Sequence, residues 1–190
     1  MADNSRPPGR PRSEDARAAV LRAVDDMLVD EGYAAMTMKG IANRAKVGRQ
    51  TVYRWWSSKA EILLEASATD AARELTVPQG PDAEAEIAGF LTALSTFLTD
   101  SDAGLAYRAL LGEAQHDRKV AELLRGTDVL GDAARAVIQS ARGRGALKDE
   151  SDLGALTAEL VGPIVSRILI EDWRGRPDEL QEMARRFLSR

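Results

Sequence analysis

The stretch from Thr37 to Lys59 carries positive charge without any acidic side chain to compensate it. Lysine and arginine side chains at this density neutralise phosphates, and a duplex that they contact releases its condensed counterions. The stretch therefore indicates contact with a polyanion such as DNA. Its basic residues are Lys39, Arg44, Lys46, Arg49, Arg54 and Lys59.

Two short helical patterns lie inside this stretch. Apolar residues recur at helical spacing from Met38 to Ala45, and in the second pattern Val52 and Trp56 stand four residues apart and share a face. The segment Lys46–Gly48 connects the two patterns. This spacing predicts a helix-turn-helix whose second helix fits a DNA groove. Burial of its apolar face leaves Arg49, Gln50, Thr51, Tyr53 and Arg54 facing outward.

The segment Ser5–Arg12 is predicted to be an extended cationic arm, because its prolines prevent regular helix. Its last four residues, GRPR, are similar to the core of an AT-hook, in which arginines enter a narrow minor groove. Arg10 and Arg12 are then minor-groove contacts. The alternative is a disordered terminus, residues 1–12, that only increases solubility.

The charge of the 190-residue chain is distributed unevenly. Residues 1–60 carry 11 basic and 7 acidic side chains, a net charge of +4, whereas residues 61–190 carry 15 and 23, a net charge of −8. The total of −4 therefore conceals a basic first part attached to an acidic remainder. Only the first part is expected to meet a polyanion, because counterion release depends on local phosphate contacts rather than on total charge.

The composition limits the available chemistry. The chain has no cysteine and a single histidine, which argues against disulfides, thiolate or multi-histidine metal sites, and Ser-His-Asp or Cys-His catalysis. We therefore predict a protein that is not an enzyme and that holds no metal or cofactor. Its first residues lack the apolar core of a signal peptide. No apolar run approaches the ~20 residues that span a bilayer, so a soluble cytoplasmic protein without a membrane partner is expected.

The predicted fold class is all-α, with about nine helices, because alanine, leucine, arginine and glutamate are abundant and long β-branched runs are missing. Ser13 and Thr37 are suitable N-caps for the first two helices, Gly32 ends the first, and Ser58 and Glu61 form a capping box for the fourth. The clearest break is Val77–Pro81. Five further helices are predicted at residues 82–99, 103–114, 117–142, 151–172 and 177–188.

A dense motif runs through residues 32–63. It consists of Gly32-Tyr33, Thr37, Ile41-Ala42, Ala45, Val47, Thr51-Val52-Tyr53, Trp55-Trp56, Ser58-Lys59 and Ile62-Leu63. This motif resembles the DNA-binding domain of the TetR/AcrR family of bacterial repressors. The resemblance implies a three-helix helix-turn-helix domain (13–57), followed by a fourth, connecting helix within a helical domain (58–190) that dimerises and usually binds a small molecule. The basic arm (residues 1–12) precedes these domains.

Two positions depart from the family pattern at the turn between the helices. Lys46 stands where the family usually has glycine, and Gly48 stands where it usually has serine. Lys46 is therefore expected either to adopt a left-handed backbone conformation at some cost or to shift the turn. Gly48 should cap the third helix almost as well as serine does.

The resemblance also implies the DNA contacts. Base reading is assigned to Arg49 and Gln50, with Lys39 as a further candidate, since arginine matches the guanine edge and glutamine the adenine edge. Phosphate contacts position a helix without reading sequence. They are assigned to Thr37, Lys46, Thr51, Tyr53, Arg54, Trp55 and Lys59. Trp56 is predicted to lie in the core, because it shares a face with Val52. The alternative is that the polar positions are ordinary solvated side chains.

The second half of the chain resembles the family's regulatory domains less specifically. By analogy, its last two helices form a four-helix interface in a twofold dimer, although the same residues could equally be intramolecular core. The interface candidates are Leu153, Leu156, Leu160, Ile164, Ile168, Leu180, Met183 and Phe187. The ligand-pocket candidates are Phe90, Leu94, Phe97, Tyr107, Leu110, Leu111, His116, Leu160 and Ile164, which would suit an apolar or aromatic effector of unknown identity.

Two functions in the same class are therefore open. One is a homodimeric repressor that a small effector releases from a near-palindromic double-stranded DNA operator. The other is a constitutive DNA-binding dimer without an effector. A cavity in the second domain would favour the first.

Overall fold

The computed structural model describes residues 10–148 and 151–189, and the regular elements within those ranges are all helices, as predicted. In chain order they are α1 (Arg10–Ala35), α2 (Met38–Arg44), α3 (Arg49–Trp55), α4 (Lys59–Glu74), α5 (Ala83–Asp100), α6 (Asp102–Glu113), α7 (Arg118–Gly126), α8 (Gly131–Gly143), α9 (Leu153–Glu171) and α10 (Pro177–Leu188).

The chain divides into two compact units, Met1–Ala66 and Ser67–Arg190, and α4 contributes to both. The sequence placed this boundary between residues 57 and 58. The first turns of α4 belong to the first unit, where the carboxylate of Glu65 accepts hydrogen bonds from the guanidinium of Arg17 and from the indole N–H of Trp56. A helix pattern in the sequence does not show this division, because α4 is continuous across it.

The helix α1 begins at Arg10 rather than at Ser13. The prediction of extended backbone up to Arg12 is therefore wrong for its last three residues. Proline is compatible with the first turn of a helix because its missing N–H has no intrahelical partner there. The side chains of Arg10 and Arg12, and all of residues 1–9, lie outside the described residues, so the minor-groove arm stays a prediction. Gly32 interrupts the helical geometry, as expected, with a φ of +74°.

The single helix predicted for residues 117–142 is two helices, α7 and α8. The connection after Gly126 is held by Asp128, whose carboxylate accepts a hydrogen bond of 3.0 Å from the backbone N–H of Gly131. The prediction was wrong because each glycine costs a helix interior about 1 kcal/mol. An aspartate between two glycines offers the backbone an alternative hydrogen bond to the helical one.

The second unit is built around α5, which packs against α6, α8, α9 and α10. Its buried side includes Phe90, Leu94 and Phe97, each at most 1% exposed. Burial of each of these side chains stabilises the folded state by about 1.5–3 kcal/mol relative to leaving it exposed. The segment between α9 and α10 is tied to this core helix, because the backbone N–H of Gly175 donates to the hydroxyl of Ser95 at 3.2 Å.

Replacing Gly104 with alanine is expected to lower the free energy of unfolding by about 3 kcal/mol, the upper part of the range for overpacked sites. A Cβ atom at Gly104 would lie 1.7 Å from the carbonyl oxygen of Phe97, so α5 and α6 would have to separate. Gly112, on the same helix, has no atom within 4 Å of the equivalent position. Gly112→Ala should instead stabilise the protein by about 0.5–1 kcal/mol. Urea unfolding followed by circular dichroism measures both, and equal effects would contradict the close approach.

Candidate nucleic-acid interface and ligand cavity

Short hydrogen bonds fix the geometry of α2, the turn and α3. The hydroxyl of Thr37 accepts from the backbone N–H of Gly40 at 3.0 Å and caps α2, as predicted. The backbone N–H of Val47 donates to the carbonyl of Ala42 at 3.0 Å and closes the turn. Lys46 has a φ of +55°, which is the left-handed conformation rather than a shifted turn. α3 then begins at Arg49.

The faces of α3 are divided as its spacing predicted. Val52 is fully buried and Trp56 is 3% exposed, so Trp56 belongs to the core. Arg49, Gln50, Tyr53 and Arg54 are exposed, and Thr51 and Trp55 are half-buried. The outward surface of α3 therefore presents the groups to which base and phosphate contacts were assigned.

Most cations of this surface have no acidic partner. Arg44 forms an ion pair of 2.5 Å with Asp30. By contrast, no ion pair within the described residues involves Lys39, Lys46, Arg49 or Arg54, and all four side chains are exposed. Cations without a partner lose no intramolecular ion pair when they bind an anion, so they are the groups best placed to hold DNA phosphates and base edges.

Trp55 and Trp56, at the C-terminal end of α3, pack against each other and against arginine side chains. Their rings meet edge to face with centroids 5.5 Å apart. The guanidinium of Arg17 lies 5.3 Å from the centre of the Trp56 ring, and that of Arg54 lies 5.7 Å from the centre of the Trp55 ring. The contacts of Trp56 with Arg17 of α1 and, through its indole N–H, with Glu65 of α4 therefore help the turn to fix the end of α3.

Lys59 has an additional role that the sequence did not indicate. Its ammonium donates to the backbone carbonyls of Tyr33 and Met36 at 2.6 and 3.2 Å, and it lies 4.0 Å from the centre of the Tyr33 ring. These bonds hold the segment between α1 and α2 against the start of α4. Its predicted phosphate contact would compete with these interactions, which makes Lys59 the least available of the assigned cations.

Lys46→Gly is expected to stabilise the protein and weaken its binding to DNA. A left-handed non-glycine residue costs about 1–2 kcal/mol, and glycine removes this strain. Glycine also raises the conformational entropy of the unfolded chain, which offsets part of the benefit. We therefore expect the free energy of unfolding to rise by about 0.5–1 kcal/mol. Loss of one phosphate contact should reduce the slope of log affinity against log salt by about 1. Lys46→Gln is the matched control: it removes the charge but keeps the conformation, so it should weaken DNA binding without raising the unfolding temperature.

The second unit contains a cavity of about 510 Å³ between α6, the start of α8, and α9. Of the predicted pocket residues, Tyr107 and Leu111 line it. Phe90, Leu94, Phe97, Leu110, Leu160 and Ile164 are instead buried among the helices, at most 3% exposed, and His116 is exposed in the turn after α6. The sequence missed Asp128 and Arg135, which also line the cavity, because nothing in a helical pattern distinguishes a cavity-facing charge from a solvated one.

The charged groups of the cavity are concentrated at one end, near the start of α8. The carboxylate of Asp128 accepts from the guanidinium of Arg135 at 2.6 Å, and the same guanidinium contacts Asp132. Tyr107 is 8% exposed. Burial, together with the nearby charge of Asp128, raises the pKa of Tyr107 to about 12, so its hydroxyl keeps its proton throughout the physiological range.

The predicted dimer residues lie mostly inside the fold of a single chain. Leu156, Leu160, Ile164, Ile168, Leu180 and Phe187 are at most 4% exposed, and Leu153 and Met183 are half-buried. The opposite side of α9 is apolar and exposed; we call Ala155, Ala158, Gly162, Leu169 and Ile170 the α9 stripe. Among the described helices, α9 is also the one whose length and hydropathy would fit a membrane span, although 28% of its apolar window is buried and Pro163 lies inside it.

An exposed cationic helix-turn-helix in one unit, followed by a helical unit with a cavity, defines a class of DNA-binding regulators. The family of bacterial regulatory proteins of the tetR type matches residues 20–66, and the tetracyclin repressor-like C-terminal domain matches residues 77–187. The chain belongs to the TetR family and is a helix-turn-helix transcriptional regulator. The matching proteins are regulators and not enzymes, which agrees with the sequence prediction.

Individual relatives support this assignment over most of the chain. The uncharacterized HTH-type transcriptional regulator YdeS of Bacillus subtilis is 34% identical over 164 residues, which cover 85% of this chain and 82% of that protein. The DNA-binding transcriptional repressor TetR of Mycobacteroides abscessus is 37% identical over 55 residues, 29% of each chain. The crystal structure of the TetR family transcription regulator SCO0332 is 27% identical with a TM-score of 0.77, covering 92% of this chain and 97% of that one.

Proposed function

We propose that this protein is a homodimeric cytoplasmic repressor that binds a near-palindromic operator and leaves it when an effector enters the cavity of the second unit. The observation that carries the DNA-binding part is the set of exposed, unpaired cations on α2, the turn and α3. The observation that favours an effector over constitutive binding is the cavity of about 510 Å³, which lies within the usual range for small-molecule sites.

Arg49 and Gln50 are proposed to read bases, because they are exposed in the first turn of α3 and the N-terminal residues of a recognition helix contact base edges. Lys39, at the start of α2, is the further candidate. Thr37, Lys46, Thr51, Tyr53, Arg54, Trp55 and Lys59 are proposed to contact phosphates. Tyr53 suits this role because 55% of its side chain is exposed although it is a large aromatic residue.

The second copy is proposed to pack on the α9 stripe. The stripe has spacings of three, four and seven residues between Ala155, Ala158, Gly162 and Leu169. Such spacing is typical of the contact seam between two helices that pack side by side. Small side chains allow the two backbones to approach closely. Exposed apolar surface of this kind on one helix marks an interaction site, and a twofold dimer uses the same surface on both copies.

The effector is proposed to act by population shift. A ligand releases the operator only if it binds more tightly to a state in which the two recognition helices no longer match the half-sites, about 34–36 Å apart. A ligand with equal affinity for both states would stabilise the protein without releasing DNA. Binding and release are therefore separate measurements.

Selection of duplexes from a random pool by the full-length protein tests the proposal. We expect enriched sequences with two inverted half-sites separated by about one helical turn. Sedimentation of the free protein should give twice the mass of one chain. Enrichment of a single, asymmetric half-site by a monomer would contradict the dimeric repressor, and a failure to enrich any sequence would contradict the assignment of Arg49 and Gln50 to base reading.

A further inference from the structure

The cavity of the second unit is apolar along α9 and charged at one end. Its α9 side is formed by small and aliphatic residues such as Ala158, Val161 and Val165. Ala158 also belongs to the α9 stripe, so the cavity adjoins the proposed dimer surface. The hydroxyl of Thr157 does not face a ligand freely, because it donates to the carbonyl of Leu153 at 2.7 Å within the helix. Ser166 also lines the α9 side and offers a neutral hydroxyl there. The charged groups that could recognise a ligand are at the other end, near the start of α8.

The charged side chains that line that end are Asp128 and Arg135, and Asp132 adds a second carboxylate beside Arg135 from outside the cavity. Asp128 and Asp132 share the single guanidinium of Arg135, and Asp128 also accepts the backbone N–H of Gly131 at 3.0 Å. The whole unit, residues 67–190, carries 21 acidic and 15 basic side chains, a net charge of −6. An anionic ligand would have to separate Arg135 from its two carboxylate partners and would then face the unpaired charge of Asp128 in the cavity. A cationic ligand would instead interact favourably with the excess negative charge.

Tyr107 adds a second, independent observation. Its side chain is more than nine-tenths buried and lines the cavity, and within residues 10–148 and 151–189 no hydrogen bond to its hydroxyl is found. The hydroxyl oxygen is not one of the fully buried atoms that lack a partner, so it keeps accessible surface and is available to a ligand in the cavity. The aromatic ring beside the carboxylate also favours a cation, since the negative face of an aromatic ring attracts positive charge.

We infer that the cavity takes an apolar organic cation whose charge lies close to Asp128 and Tyr107 and whose apolar body lies along α9. This inference deepens the proposed function, on which its regulatory meaning rests, by naming the chemical class of the effector. It excludes fatty acids and other apolar carboxylates as the preferred ligands, because the site offers them no unpaired cation.

Two probes of nearly equal size and opposite charge test the inference. Tetraphenylphosphonium is a cation and tetraphenylborate is an anion, and both present the same four phenyl rings. Calorimetric titration of the full-length protein should give a dissociation constant for the cation that is at least about tenfold lower than for the anion. Equal or tighter binding of tetraphenylborate would overturn the inference, and this comparison does not depend on the folding of any variant.

A matched pair of variants locates the charge. Asp128→Asn keeps an oxygen that can accept the N–H of Gly131, but it removes the negative charge that lines the cavity. Asp132→Asn makes the same change of net charge and also affects Arg135, but Asp132 does not line this cavity. We expect Asp128→Asn to weaken binding of tetraphenylphosphonium about tenfold, and Asp132→Asn to change it by less than about twofold. Equal effects of the two variants would show that the cation responds only to overall charge and would overturn the assigned position.

The same protein preparation distinguishes the inference from the proposed function. If it binds a selected operator duplex but does not prefer the cationic probe, the ligand class is wrong and the DNA-binding function stands. If it prefers the cation with the expected dependence on Asp128 but binds no duplex, the ligand class is supported and the proposed function fails. Release of the operator by tetraphenylphosphonium, lost in Asp128→Asn, supports both.

Discussion

Arg49→Ala is expected to lower the affinity for the selected operator about 10–100-fold while lowering the affinity for random duplex only about threefold. Arg49 is exposed at the start of α3, has no ion-pair partner among the described residues, and is positioned by the buried anchors Val52 and Trp56 behind it. An arginine in this position can donate two hydrogen bonds to a guanine edge, and loss of such a pair costs about 1–3 kcal/mol of discrimination. Fluorescence anisotropy with the selected duplex and a scrambled duplex measures both quantities.

Arg54→Ala is the matched control, because Arg54 lies on the same helix and carries the same charge but is assigned to a phosphate. It should weaken binding to both duplexes by similar factors and should reduce the salt slope by about 1. Arg125→Ala removes an exposed arginine from the second unit and should leave both affinities unchanged. Parallel losses on the two duplexes for Arg49→Ala would refute its assignment as the base-reading residue.

The buried and exposed faces of α3 could be predicted from the sequence because their determinants are local. The residues that bury α3 and the residues that it exposes lie within one short segment, so a helical period assigns each to a face. At Lys46 the sequence left two alternatives, a left-handed residue or a shifted turn, and the φ of +55° identifies the first. What local reasoning could not supply was the role of Lys59, whose carbonyl partners lie 23 and 26 residues earlier in the chain.

The second unit could be predicted less completely, because α9 is apolar on nearly all sides. A period of 3.6 residues identifies Leu156, Leu160 and Ile164 as one row and Ala158, Gly162 and Leu169 as another, but it does not say which row the chain itself covers. Packing against α5 buries the first row. The residues chosen from the sequence for the dimer were therefore the larger apolar ones, and these are the residues that the protomer buries.

The lining of the cavity also could not be predicted from helical spacing. Aromatic and leucine residues at helical spacing were chosen as its lining, but close packing of α5 leaves no space beside Phe90 or Phe97. Space exists instead where the chain breaks between α7 and α8 and where α9 presents glycine and alanine. Such a site depends on the end of one helix and the small residues of another, a combination that the pattern of either helix does not contain.

Ile170→Glu is expected to convert the protein to monomers at concentrations where the unmodified protein is dimeric, with a rise of at least about 100-fold in the dimer dissociation constant. Ile170 is 79% exposed, so the substitution leaves the packing of one chain unchanged. In a twofold dimer the change places two carboxylates in one apolar interface, beside Glu171 and Asp172 of each copy. Operator affinity should also fall at least about 100-fold, because the second half-site would no longer be bound intramolecularly.

Leu105→Glu makes the same chemical change at another exposed apolar residue, on α6 and away from the α9 stripe, where 41% of the leucine side chain is exposed. It should leave the sedimentation coefficient and the operator affinity unchanged. Sedimentation velocity over a range of concentrations, combined with anisotropy on a full operator and on an isolated half-site, separates association from DNA reading. If Ile170→Glu remained a dimer and bound the operator normally, the second copy would have to use another surface. Because Ile170→Glu should bind the isolated half-site as well as the unmodified protein does, its loss on the full operator would arise from the lost pairing of the two recognition helices.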